Sequence, residues 1–262
     1  MTLRDGSSLA SSATASLLRR MAAGALMGGL AITSLAGCSG GDDPVTENTE
    51  LDDDGDGEVT PEEVMAGAKE KLDATSGVTI RLSTDDEPDE GDYLASAEGT
   101  LIADPPAFEG DVAGRVMGAE ASDIAVVSVG GNLYVEVPVL GWQIYEPGDF
   151  CAPDPAALLD PDTGVSPVLT ATEGLEEGES ELGGDDNEET LTPFTGTVPG
   201  DTVRNILPCA EGDEFDAKYR VDADGFLTEA EITGEFFPGM AAITYVIAVE
   251  EYDVEQEISA PE

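Results

Sequence analysis

For chemistry the chain of 262 residues has three cysteines and 57 acidic side chains against 10 basic ones, and no histidine. Without histidine neither a Ser-His-Asp nor a Cys-His catalytic set can be built, and zinc loses its commonest nitrogen ligand. Carboxylate-only chemistry, such as acid-pair glycoside hydrolysis, is still open on composition. The acids, however, sit in turns and on solvent faces, none in a context that would raise its pKa, and a single tryptophan is available to stack on a sugar. The formal charge of −47 repels phosphate backbones and excludes DNA and RNA as partners. The densest acidic pattern is Asp52-Asp-Asp54-Gly-Asp56-Gly57-Glu58-Val59-Thr60-Pro-Glu-Glu63. Read as a calcium loop, it places Asp52, Asp54, Asp56, Glu58 and Glu63 as candidate ligands, with glycine where the loop must turn. The same string also reads as a capping box, with Thr60 as N-cap, Pro61 at the first helical position and Glu63 reaching back. No entering helix precedes Asp52 and no second loop pairs with it, so any calcium binding is expected to be weak. No other cofactor is implied.

Cys38 has a different context. Arg4, Arg19 and Arg20 precede an uncharged run from Met21 to Leu35, and the run ends Leu35-Ala36-Gly37-Cys38. A basic start, an apolar stretch too short to span a bilayer comfortably and a cysteine after small residues resemble a bacterial lipobox. There the thiol takes a diacylglyceryl thioether and the chain is cut just before it; two or three acyl chains then hold the protein on a membrane. Residues 1–37 are thus expected to be a lipoprotein signal peptide, and Cys38 the lipidation site on the outer face of the cell membrane. Arg19-Arg20 hints at twin-arginine export, although its flanks match poorly. The mature chain would keep 7 basic and 56 acidic residues, a net charge of −49. Cys151 and Cys209 remain. In an oxidising compartment they most simply form one disulfide, closing a loop for which chain entropy gives on the order of 4 kcal/mol; two buried free thiols are the alternative.

The elements that must position these groups follow from periodicity. Residues 38–59 are polar and acidic, a self-repelling tether. Residues 60–262 are expected to form one α+β domain. A helix from Pro61 to about Ala74 leads into alternation at Val78, Ile80 and Leu82, a half-buried strand. Further strands are expected at 93–103, 107–117, 121–129 and 132–139, with the Gly130-Gly131 hairpin signal between the last two. Short helices follow near 155–159, 165–169 and 201–207, and strands at 175–182, 188–197, 214–222, 225–237 and 241–254. That amounts to about ten antiparallel strands and four short helices. Asp222-Ala-Asp224-Gly225 is expected to be a hairpin turn and not a second calcium loop, because the residues on both sides alternate at period two.

Four features together resemble the actinobacterial LppX/LprG family of envelope lipoproteins: the lipobox with its acidic tether, the helix-to-strand passage Leu72-Asp-Ala-Thr-Ser-Gly-Val-Thr-Ile-Arg-Leu82, Gly131-Asn-Leu-Tyr134 before the Trp142 segment, and Pro155-Ala-Ala-Leu-Leu-Asp-Pro-Asp-Thr-Gly-Val-Ser-Pro-Val-Leu169. The last is the sharpest. The resemblance implies a strongly curved antiparallel sheet, a half-barrel, with short helices packed on its concave face around an apolar cavity. It implies a non-catalytic monomer that carries or presents an acylated lipid or glycolipid, with the membrane and a lipid transporter as further partners. Bends are expected at Gly99, Gly110, Gly114 and Gly118. Candidate lining residues are Val112, Val116, Leu133, Val135 and Val137 on the sheet, and Leu158, Val168, Leu169, Ile206 and Leu207 on the helices. Each also reads as ordinary core. The competing functions are a scaffold or calcium-responsive surface lipoprotein and, more remotely, an acid-pair enzyme.

Overall fold

The computed structural model describes residues 59–88, 91–116, 118–147, 152–184 and 189–262. The expected signal peptide, Cys38, nearly all of the tether, Asp52, Asp54, Asp56, Glu58 and Cys151 lie outside these residues. The first element is helix α1, Pro61–Ala74. Its start is the capping box: the Glu63 N–H donates to Thr60 Oγ1 at 3.3 Å and the Thr60 N–H to Glu63 Oε2 at 2.9 Å. Met65, Ala68 and Leu72, spaced three and four apart, form its buried stripe.

Twelve strands follow among the described residues. They are β1 Gly77–Ser83, β2 Tyr93–Ile102, β3 Ala107–Val116, β4 Ala119–Val129, β5 Asn132–Val137, β6 Gly141–Tyr145, β7 Glu173–Glu177, β8 Glu181–Gly183, β9 Glu189–Pro199, β10 Glu214–Asp222, β11 Leu227–Gly234 and β12 Ile243–Tyr252. All pair antiparallel in one sheet of order β6-β5-β4-β3-β2-β1-β12-β11-β10-β9-β7, with β8 also on β9. The sheet does not close: β6 lies at one edge and β7 and β8 at the other. Between β6 and β7 the described residues form a 3-10 turn, Pro155–Ala157, and helix α2, Ser166–Ala171; helix α3, Gly200–Ile206, joins β9 to β10.

Two departures from the expected ten strands have local causes. Gly141–Tyr145 pairs with β5 as an edge strand, a role the segment does not announce because apolar Trp142 and Ile144 stand on its outer side. The expected strand 175–182 is broken into β7 and β8. Opposite the break is Pro193, whose carbonyl accepts from the Gly178 N–H but which has no N–H to return. The Asp222–Gly225 segment is the expected hairpin: Asp222 Oδ1 accepts from the N–H groups of Asp224 and Phe226, and Gly225 has φ +85°.

The bend is built from glycine. Gly99 and Gly110 face each other across β2 and β3, and a β-carbon on Gly99 would lie 2.8 Å from the Gly110 Cα. The ring of Phe108 lies over the pair, within 2.7 Å of the space such a carbon would occupy. Bulges sit nearby, between Leu94 and Ser96 in β2 and between Val112 and Gly114 in β3. Gly118 makes the β3–β4 turn at φ +74°.

Side chains on the inner face form two apolar clusters, divided along α1. Met65 and Ala68 belong to the first, with Phe194, Val198, Phe215, Tyr219, Ile243 and Tyr245 of β9 to β12. Leu72 belongs to the second, with Val78, Leu101, Phe108, Val126 and Leu133 of β1 to β5. Burial pushes the Tyr219 hydroxyl up to about 12, and those of Tyr245 and Tyr252 higher still. The neutral phenol is the form the fold holds, so its stabilisation is complete below the ordinary value near 10 and is lost as pH rises through the folded values. In an absorbance titration, three of the six tyrosines should stay un-ionised at about pH 11 and then ionise together with unfolding. Six independent titrations near 10 would contradict this burial.

Candidate functional site

The interior between sheet and helices is covered by residues 152–172, a stretch with little regular structure that polar contacts pin in place. Ser128, fully buried on β4, donates to Asp154 Oδ1 at 2.8 Å, and the same oxygen caps the 3-10 turn by accepting from the Ala156 N–H. Next comes the Asp160-Pro-Asp-Thr-Gly164 turn. Asp160 Oδ1 accepts from the N–H groups of Asp162 and Thr163 and from the Thr163 hydroxyl. These bonds, that from the Thr163 hydroxyl most of all, hold the Asp160 carboxyl below the usual carboxylate range. Gly164 is required by contact: a β-carbon there would come within 2.6 Å of the Asp160 carbonyl oxygen.

The turn is tied to α1 by Lys69, whose ammonium donates to the Pro161 carbonyl at 3.0 Å, to Asp73 Oδ2 at 2.6 Å and to Ser166 Oγ at 3.1 Å. Ser166 in turn donates to Asp73 Oδ1. At the far end of α2, Thr172 donates its hydroxyl hydrogen to the Val168 carbonyl, so Tyr219 is the donor in their 2.8 Å contact. Arg204 closes the α3 end by donating to the Gly212 carbonyl at 2.9 Å and to Asp201 at 2.8 Å. No buried side-chain polar atom among the described residues lacks a partner.

Seven of the ten candidate lining residues lie in or against the two clusters, divided between them. Leu133, Val112, Val135 and Leu158 join the second cluster; Leu169, Val168 and Leu207 join the first. Val137 and Ile206 are half-buried outside both. Val116 is 46% exposed at the end of β3, where the strand runs past its cover into the β3–β4 turn. Two concavities among the described residues lie on the opposite, solvent face. One, of about 430 Å³, has Glu176, Thr195, Thr197, Lys218, Glu231 and Thr233 in its wall; the other, of about 290 Å³, has Arg81, Ser83, Ser96, Glu98, Asp111 and Asp123. Both are open and partly polar. Glu63, the one described member of the calcium pattern, has Oε2 engaged in the capping box, and Cys209 is half-buried in the loop after α3. The polar pins of the cover were not among the candidates; their one sequence signal was the Asp-Pro-Asp-Thr-Gly turn.

No described helix is long and apolar enough to cross a membrane. Residues 60–259 match the model of the LppX_LprAFG lipoprotein family. The chain belongs to the LppX_LprAFG family. Two solved structures share the fold of this LppX_LprAFG domain. LprF from Mycobacterium bovis is 11% identical with a TM-score of 0.60, over 77% of this chain and 96% of that one. Lipoprotein LppX from Mycobacterium tuberculosis is 18% identical with a TM-score of 0.55, over 76% of this chain and all of that one. No curated relative matches the sequence. The open antiparallel sheet with its few short helices is thus the family fold, as the resemblance implied.

Proposed function

We propose that this LppX_LprAFG domain is a non-catalytic carrier that takes the acyl chains of a lipid or glycolipid between the inner face of the sheet and the cover of residues 152–172. It stands outside the cytoplasm, held by acylated Cys38 at the end of its acidic tether, and works as a monomer that hands lipid to or from a transporter. The carrying observation is the construction of the cover. Its pieces are a three-residue turn and a six-residue helix, neither long enough to be stable alone. Apolar contact and a few polar pins hold them over a mostly apolar face, so they can separate from it and let chains in between the two clusters. A role in acid catalysis finds no support: Asp160 and Glu181, the described carboxyl groups displaced from their ordinary range, are both held low, where a general acid needs to be high. We also read Cys151 and Cys209 as a disulfide.

Native mass spectrometry of the mature protein, before and after organic extraction, tests the reading. A bound mass of a two- or three-chain lipid, lost on extraction, is expected; a protein that is empty as isolated and takes up no added lipid would sink it. The same sample should gain two hydrogens on reduction of the disulfide. Asp73→Ala removes the partner of both Lys69 and Ser166 and should lower stability by about 1–3 kcal/mol. It should also quicken exchange of bound lipid, followed by transfer of labelled lipid to vesicles, because the cover's tie to α1 is reduced to the bonds of Lys69.

A further inference from the structure

The stretch Val137-Pro-Val-Leu-Gly-Trp-Gln-Ile-Tyr145 carries no charge, in a chain with 57 acids. It is the turn between β5 and β6 together with β6 itself, at a free edge of the sheet. Val139 is fully exposed, Leu140 71% and Ile144 64%. Val139 also holds φ at +72°, a left-handed conformation that a β-branched residue adopts only under constraint. Behind this tip the turn is closed on itself. The Leu140 N–H donates to the Val137 carbonyl at 3.1 Å, and Gln143 Nε2 lies 3.3 Å from the Leu140 carbonyl, 3.4 Å from that of Gly141 and 2.8 Å from that of Trp142. Internal partners for the backbone are what a chain needs where water is scarce. Trp142 and Tyr134, amphipathic rings of the kind that settle at the level of lipid headgroups, stand half-buried behind the apolar tip. Exposed Glu136 faces Trp142 across the hairpin and marks where the apolar part ends.

We propose that the β5–β6 hairpin tip inserts shallowly into the lipid–water interface, with Val139 and Leu140 beneath the headgroups and Trp142 among them. A bilayer suits this element better than a protein partner. Three exposed apolar side chains fall far short of the roughly 800 Å² per partner of a stable protein interface, whereas a bilayer sets no such minimum. A domain of this charge is pushed away from an anionic surface, so contact has to be made by an uncharged element. The inference rests on the anchored-lipoprotein reading only for bringing the domain near a membrane.

Trp142 is the single tryptophan of the chain, so its emission reports on the tip without ambiguity. In the acylated protein reconstituted into phosphatidylcholine vesicles, Trp142 should emit further to the blue than in a Val139→Asp/Leu140→Asp variant. Doxyl-labelled lipids with the label near the headgroup should quench it more than those labelled deep in the chain. The variant should lose this quenching while still floating with the vesicles and keeping its fold by circular dichroism. Identical emission and doxyl quenching in the two proteins would overturn the proposal. So would protection from acrylamide that depends on protein density without doxyl quenching, which would assign the tip to a second copy. The lipid load found by mass spectrometry is a separate readout, so failure of the carrier reading and failure of this one are distinguishable.

Discussion

Phe215→Ala is expected to lower the stability of the domain by about 3–5 kcal/mol, the range for emptying a large buried aromatic site that cannot collapse. Phe215 is fully buried. Its ring packs against Phe236 with centroids 5.0 Å apart, and Phe236 meets Tyr245 edge-on at 5.1 Å. It also lies directly over Gly234 and within 2.8 Å of the space a β-carbon on Gly212 would occupy, so the backbone here is shaped to the ring. Glycine walls on two sides have no side chain to swing into the void. Phe226→Ala is the contrasting case: its half-buried ring meets Tyr252 at 4.9 Å and lies under the Lys71 ammonium at 4.2 Å, and its loss should cost clearly less. Urea unfolding followed by circular dichroism measures both; a Phe215→Ala midpoint within error of the parent would contradict the packing described.

Gly110→Ala should be nearly as damaging, for the opposite reason. Its β-carbon would meet the Glu98 carbonyl oxygen, the Gly99 Cα at 2.8 Å and the Phe108 ring at 2.8 Å. Ring and side-chain overpacking costs about 1–3 kcal/mol, and two of these three contacts are backbone, which cannot rotate away. The two strands would have to part at the facing glycines, so the variant should lose stability. Gly67→Ala is the control: nothing lies within 4 Å of its β-carbon, and in mid-helix the added methyl should stabilise by about 0.5–1 kcal/mol. Thermal melts of the two variants should therefore move in opposite directions.

These two residues also show what could be read from the chain beforehand. Gly110 was expected at a bend because glycine inside an alternating run marks a bulge or a close approach. The capping box, the limits of α1 and the Asp222 hairpin were legible for the same reason, since each depends on neighbours within four residues. The face of the sheet that carries the helices, the isolation of Val116 and the splitting of the lining residues between two clusters were not. They depend on where α1 lies across the sheet, and no local pattern encodes that. Lys69, Asp73 and Ser166 were passed over because their contacts join residues more than ninety positions apart. The edge strand β6 escaped notice because its outer face is apolar, which removes the alternation that reveals other strands.

The pairing of β1 with β12 has a consequence for how the molecule forms. Each half of the sheet, β1 to β6 and β7 to β12, is ordered almost as the chain is, so each can assemble by closing hairpins between near neighbours. A single seam, Val78 against Tyr252 through Ser83 against Val246, joins the halves, and Thr75 clasps Asp253 beside it. The first and last strands therefore meet in the middle of the sheet instead of at its rims. A chain growing from its N-terminus would complete the first half while the second was still arriving, with β1 kept as an unpaired edge until the final strand came to cover it. The last ten residues of the sheet, and not its apolar centre, would then decide when the protein becomes whole.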